Sequence, residues 1–251
     1  MENVVLVTLD GDSARLPQPF SRRLCFSHCL SPTASLRRRV ALHEPGNSLL
    51  GVSDLVPLET CGDGAQLTAD LVAEVQALGC PGVFLDLEQS YPRLRECLKE
   101  TDEGLAAAGI PLYVPERCAE GLSHAVAVCD GAVSGGSFDL RFDGLLGRYG
   151  EGRVAAMLSP VRADFTLPSQ DADGRALTQE SLEQLRAQHQ AQAFFSKELC
   201  AKYFTYMDGE NQGHFVLYDD GSTMQEKYRR LSQRGILCFL LARDAGLLVS
   251  R

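Results

Sequence analysis

Short apolar runs alternate along the chain with longer stretches in which apolar positions recur every three or four residues. Short runs bounded by Gly, Pro, Asp or Ser read as buried strands. The 3.6-residue recurrence reads as a helix with one apolar face, and alternation of the two marks βα units around a parallel sheet. The pattern predicts eight strands, at 4–9, 24–29, 49–53, 82–87, 110–114, 131–134, 154–158 and 236–241. Segment 64–79, GAQLTADLVAEVQALG, predicts a helix with Leu67, Leu71, Val75 and Leu78 on its apolar face and Gly79 as its stop. A second helix is predicted over 91–109, ending at a glycine. A third covers 222–234, capped by Asp220 or Ser222 and stopped by Gly235.

One stretch departs from the alternation. Residues 159–235 are too many for one helix and its loops. They hold a polar helix at 179–192 and then KYFTYMDGENQGHFVLYDD, which predicts two strands joined by a turn at 208–213. No second apolar core, flexible linker or internal repeat is visible. The expected fold is therefore α/β: a (β/α)8 TIM barrel forming one domain over 1–251, with a small insertion between the seventh and eighth strands at about 165–218.

Composition narrows the partners. The 251 residues suit one barrel, and 45% apolar with 23% charged residues is an ordinary globular balance. A net charge of −9 argues against nucleic acid or an anionic membrane, because both require clustered cations. The one basic run, Arg37-Arg38-Arg39, reads as a solvated face. MENVVLVTLDGD lacks the basic start and apolar core of an export signal, and no run approaches membrane-spanning length. Nine cysteines, an odd number mostly in apolar contexts, read as free thiols in a reducing compartment. Cys25, His28 and Cys29 lie close together but lack a second ligand pair, so neither a metal nor a cofactor is expected.

The chemistry concentrates in Pro81 to Glu88, PGVFLDLE. Alternation along a strand puts Val83, Leu85 and Leu87 on one face and Phe84, Asp86 and Glu88 on the other. In a barrel the second set points inward. Two acids there are tolerable only at the C-terminal mouth, where solvent reaches them and where barrel enzymes carry their sites. Neighbouring carboxylates do not ionise independently, so one can retain its proton and act as a general acid. Glu88, nearer the mouth, is the candidate acid and Asp86 its partner. The alternative is that these acids cap the following helix or form an ion pair with a cationic side chain.

Two stretches carry a family resemblance. PGVFLDLE resembles the fourth-strand signature DGxDxDxE of the family 18 glycoside hydrolases, whose last residue is the catalytic glutamate. The tail HFVLYDDGSTMQEKYRRLSQRGILCFLLARDAG is similar to the end of those barrels, where Tyr-Asp-Asp, Ser and a later Lys open the last helix. The nearest variant is the spore-associated, cortex-acting bacterial branch. The resemblance implies substrate-assisted retaining hydrolysis of an N-acetylglucosamine-containing polymer, chitin-type or peptidoglycan, in which the 2-acetamido group replaces a protein nucleophile. It gives Glu88 the role of protonating the leaving oxygen and Asp86 that of orienting the acetamido group. It also implies spore association, beside the cytoplasmic setting read from the free thiols and the missing export signal.

The chain departs from that pattern in several places. Pro81 and Phe84 occupy the signature's first two acid positions. The family's sixth-strand Met-x-Tyr-Asp falls near 133–137, which reads VSGGS, so Tyr113 or Tyr206 would have to supply the missing hydroxyl. There is no tryptophan, and Phe239 takes its place on the eighth strand as the floor of the sugar site. Glu116 and Arg117 after the fifth strand, Arg162 and Asp164 after the seventh, and Asp208 in the insertion read either as groove residues or as solvated loops. Asp219 and Asp220 fit a helix start, and His214 has no triad partners at nucleophile spacing. Three functions follow: a glycosidase working through Glu88 and Asp86, a silent barrel that binds glycan or a protein partner, or a barrel enzyme of unrelated chemistry using the same mouth acids. Oligomeric state is left open.

Overall fold

The computed structural model describes residues 3–8, 20–42, 44–54, 63–88, 92–168 and 174–242. In chain order its strands are β1 (Asn3–Thr8), β2 (Arg22–Leu30), β3 (Leu36–Arg38), β4 (Ser48–Ser53), β5 (Val83–Asp86), β6 (Leu112–Pro115), β7 (Val126–Asp130) and β8 (Val154–Leu158). Then come β9 (Arg162–Leu167), β10 (Arg175–Ala176), β11 (Phe194–Ser196), β12 (Ala201–Met207), β13 (Gly213–Tyr218) and β14 (Cys238–Leu241). Strands β1, β2, β4, β5, β6, β7, β8 and β14 pair in that order, all parallel, and β14 pairs back onto β1. The ring is closed. β3 lies antiparallel on β2 at His28 to Leu30, beyond the β1 pairing at Arg22 to Cys25.

Alternation builds two apolar layers from each strand. Val5, Leu24, Leu49, Phe84, Tyr113, Val128, Ala155 and Leu240, one from each barrel strand, fill the interior. The intervening residues, among them Leu50, Leu85, Val114, Ala127, Ala156 and Phe239, face outward into a larger cluster shared with the helices. The helices are α1 (Gly64–Leu78), α2 (Pro92–Ala107), α3 (Phe138–Tyr149), α4 (Gln179–Gln188) and α5 (Gly221–Gln233). α1 carries Leu67, Leu71 and Val75 on its buried face, is capped by the Asp63 carboxylate on the Ala65 N–H, and stops where Gly79 turns left-handed at φ 67°. Not every strand is followed by a helix. Among the described residues the β2–β4 connection uses the β3 hairpin, and the β6–β7 connection uses one 3-10 turn, Glu116–Cys118.

The sixth barrel strand is Val126–Asp130, not 131–134 as the pattern predicts. Its residues VAVCD are small and short-ranged, whereas GAVSGGS after it offered a valine between glycines. Those glycines belong instead to the turn into α3, whose cap is Ser137, accepting the Leu140 N–H at 3.3 Å. Gly131 packs closely: a Cβ there would lie 2.8 Å from a Leu158 methyl and 3.1 Å from the Met157 carbonyl oxygen, so the leucine side chain would have to shift.

Between β8 and α5 the chain forms a five-stranded antiparallel sheet in the order β10-β9-β13-β12-β11. β12 and β13 are the two strands expected around 208–213, and Asp208 Oδ1 tightens their turn by accepting the N–H groups of Glu210 (2.9 Å) and Gln212 (2.8 Å). β9, β10 and β11 were not expected. The sheet opens at Arg162, three residues before the predicted edge, and α4 ends at Gln188, shorter than predicted. α4 covers one face through Leu182, packed with Phe204, Val216 and Tyr218. The ends of the insertion meet at Asp219, whose carboxylate takes the Val161 N–H (2.9 Å), the Thr223 hydroxyl (2.7 Å) and the Lys227 ammonium (2.7 Å).

Candidate active site

β5 is short and apolar until its last residue. Val83, Leu85 and Leu87 enter the outer cluster and Phe84 the inner one, so the pleat brings Asp86 to the inner side at the C-terminal end. Phe84 lies beneath it, edge-on to Phe26 with ring centroids 5.9 Å apart. The Asp86 carboxylate is 41% exposed, at the rim rather than in a closed core. Glu88 follows, exposed. Residues 89–91, expected to open a loop there, lie outside the described residues.

Three neighbours shape this pair. Asp54, next after β4, is buried and accepts the Glu88 N–H with both carboxylate oxygens, at 3.0 and 3.1 Å. Arg117, in the turn after β6, donates Nε to the Leu87 carbonyl (2.9 Å) and approaches Asp86 Oδ1 with Nη2 at 3.4 Å. Cys118 Sγ reaches the same carbonyl at 3.6 Å. Burial pushes the Asp86 carboxyl above the ordinary range. Arg117 opposes that shift, and the negative charges of Asp54 and Glu88 reinforce it. Arg117 therefore pairs with Asp86 without neutralising the reason for its raised value.

Beyond Arg117 the rim opens into a cavity of about 400 Å³ lined by Pro115, Glu116, Arg117, Glu120, Val128, Asp130, Arg141 and Arg148. Glu116 accepts Arg141 Nη2 at 2.8 Å, and Asp130 at the end of β7 accepts the Ala132 N–H at 2.8 Å. The cavity lies on the β6–β7 side and shares Arg117 with Asp86. A groove lined by carboxylates and guanidinium groups can take many hydroxyl contacts.

Glu116 lines this cavity; Phe239, Tyr113 and Tyr206 do not. Phe239 is fully buried on the outward face of β14, against the Tyr228 ring of α5 at 4.5 Å. Its one-residue offset from Leu240 removes it from the mouth. Tyr113 faces inward but low: it is buried in the interior cluster and its hydroxyl meets Cys238 at the start of β14, which with burial pushes it up to about 12. It cannot reach the C-terminal rim. Tyr206 belongs to the insertion, stacked between His189 and His214 (4.3 and 4.4 Å) with its hydroxyl donated to Asp164 at 2.9 Å. With the sixth strand placed at VAVCD, that strand still offers no tyrosine. Asp54 and Asp130 escaped the sequence reading; each is a lone acid at a strand end, a signal visible only once the strands are placed. Asp164, Arg175, His214 and Asp208 form a network inside the insertion, and Asp219 and Asp220 hold the start of α5.

Among the described residues no group of three or more His, Cys, Asp or Glu side chains is arranged to hold a metal. His28 instead lies 2.7 Å from Glu74, which also takes Arg38. No described helix is long and apolar enough to cross a membrane.

A closed ring of eight parallel strands with helices packed outside it is the chitinase-like TIM barrel. No family model and no curated protein matches the chain by sequence. Solved structures match it throughout. A chitinase from Chromobacterium violaceum superposes with a TM-score of 0.68 at 12% identity, covering 99% of this chain and 98% of that one. A class V chitinase from Pseudomonas fluorescens gives 0.65 at 16% identity, covering 100% and 98%. The spore cortex-lytic enzyme SleL of Bacillus megaterium gives 0.64 at 12% identity, covering 98% of this chain and 71% of that one. The chain has the fold of these proteins.

Proposed function

We propose that the chain is a glycoside hydrolase acting on an N-acetylglucosamine-containing glycan by substrate-assisted retaining hydrolysis. The observation that carries the reading is the emergence of Asp86 and Glu88 together at the open C-terminal rim of a barrel shared with chitinases and cortex-lytic enzymes. In this reading Glu88 protonates the glycosidic oxygen as the leaving group departs. The substrate's 2-acetamido oxygen attacks the anomeric carbon, and Asp86 orients that group. Glu116, Arg117, Asp130 and Arg141 supply hydroxyl contacts along the adjoining cavity. The polymer is chitin-type or peptidoglycan glycan, and the likeness to cortex-lytic enzymes supports spore peptidoglycan as the one to try first.

A second reading has its own support. Phe84 stands under Asp86 where the signature has an acid, β7 ends without a tyrosine, and Phe239 faces away from the mouth. These losses favour a barrel that binds glycan without turnover. Hydrolysis of a fluorogenic N-acetylglucosamine oligomer by the wild type and by Glu88→Gln separates the two. The hydrolase reading expects activity in the wild type and a loss of ~10²–10⁴-fold in the variant. No activity in either, with oligomer binding retained, selects the binder; equal activity in both removes Glu88 from the acid role.

A further inference from the structure

The carboxylate of Asp54 is in an unusual position for a residue the signature does not include. It is only 8% exposed, it comes from the neighbouring strand, and both its oxygens accept one N–H, that of Glu88. A buried carboxylate is costly unless its interactions require it there. The position directly below Asp86, where the signature would place a second acid, is the phenyl ring of Phe84. We propose that Asp54 is the positioning residue of this site, holding the Glu88 backbone at the rim and supplying beside Asp86 the negative charge that Phe84 cannot. The inference rests on the reading of Glu88 as the acid.

The physics is local. Glu88 lies just past the end of β5, where no ladder partner fixes its peptide; β4 and β5 are in register only as far as Ser53 opposite Asp86. A charge-assisted bond from the Glu88 N–H to the carboxylate of Asp54, the residue after β4, extends the pairing by one step, through a side chain instead of backbone. Asp54 acts on Asp86 at the end of β5 and on Cys118 in the turn after β6; Arg117 opposes it at both groups, Glu88 adds to it at Asp86, and Arg95 on α2 opposes it at Cys118. The negative charge of Asp54 helps to raise Asp86.

Two variants separate position from charge. Asp54→Asn keeps an oxygen that can accept the Glu88 N–H but removes the charge; Asp54→Ala removes both. In oligomer hydrolysis, Asp54→Ala is expected to lower kcat by ~10²-fold with little change in KM, since a misplaced acid weakens the transition state rather than binding. Asp54→Asn is expected to keep most of its turnover, because the amide oxygen it introduces still accepts the Glu88 N–H. Carboxyl NMR of Asp86 should show its midpoint fall in Asp54→Asn, a readout that a merely structural role would not move. Wild-type kcat in a folded Asp54→Ala, with Glu88→Gln inactive, overturns the positioning role. An unmoved Asp86 midpoint overturns the charge role. If Glu88→Gln hydrolyses as well as the wild type, the acid assignment has failed instead, and the Asp86 titration alone then decides the role of Asp54.

Discussion

Arg117 joins the two halves of the rim, reaching Asp86 with one nitrogen and the Leu87 carbonyl with another. It is the cation that opposes the burial of Asp86, so Arg117→Met leaves Asp86 with burial, Asp54 and Glu88, all favouring the protonated form. The Asp86 midpoint, followed by carboxyl NMR, is expected to rise in that variant, opposite to its direction in Asp54→Asn. An unchanged midpoint would show that the 3.4 Å pair is open in solution. The sign for stability follows. Because the folded value is raised, the folded state keeps the Asp86 proton at a pH where the unfolded chain has lost it. This group's contribution therefore declines as pH rises through the folded value, and its half-exposed position keeps the effect small. At this scale the sequence shows parity but not depth. Alternation put Asp86 on the inner face of β5, yet Tyr113, also inward, lies a layer too low, and Phe239 has the wrong parity by one residue.

Element by element, the start of α5 fastens the insertion to the barrel. Lys227 and Asp219 are 1% and 0% exposed in their side chains, and Asp219 also collects the Val161 N–H and the Thr223 hydroxyl. Lys227→Met would leave a carboxylate buried without its cation, at a cost of about 3–5 kcal/mol. A fall in melting temperature clearly larger than that of a helix-cap variant checks it. Asp220→Ala is the comparison: it removes the acceptor of the Ser222 and Thr223 N–H groups, worth about 1–2 kcal/mol. Burial acts to raise the Asp220 carboxyl, but Lys202, Ser222 and Thr223 outweigh it and hold it below the ordinary range. Its stabilising contribution is accordingly present above the usual aspartate value and lost as pH falls through the depressed one. Asp220→Ala should lose less stability than the wild type over that acid window. This capped helix was legible because cap, apolar spacing and terminal glycine agree locally. β7 was misplaced because alanine and cysteine carry little strand signal, and β10 and β11, of two and three residues, exist only through their pairing.

Across the whole molecule, the thiols report whether barrel and insertion form one cooperative body. Cys80 before β5, Cys97 on α2 and Cys129 on β7 are buried in the barrel's outer cluster, and so is Cys200, although the chain places it in the insertion beside β12. Burial pushes Cys80 and Cys200 up to about 11 and Cys129 up to about 12, so neither exposure nor thiolate fraction favours reaction at neutral pH. These cysteines are therefore expected to resist a thiol-reactive probe in native buffer. They should become reactive together as denaturant crosses the midpoint seen by far-UV circular dichroism, with mass spectrometry assigning each site. The outer cluster runs through Cys200 into the barrel, and the Asp219–Lys227 pair closes the same seam. Local opening of the insertion would have to break both. Labelling of Cys200 at lower denaturant than Cys80 and Cys129 would show that the insertion unfolds first. In Lys227→Met, where half of the seam is gone, that early labelling is the expected result, and its appearance only in the variant would identify the buried pair as what makes the two sheets unfold together.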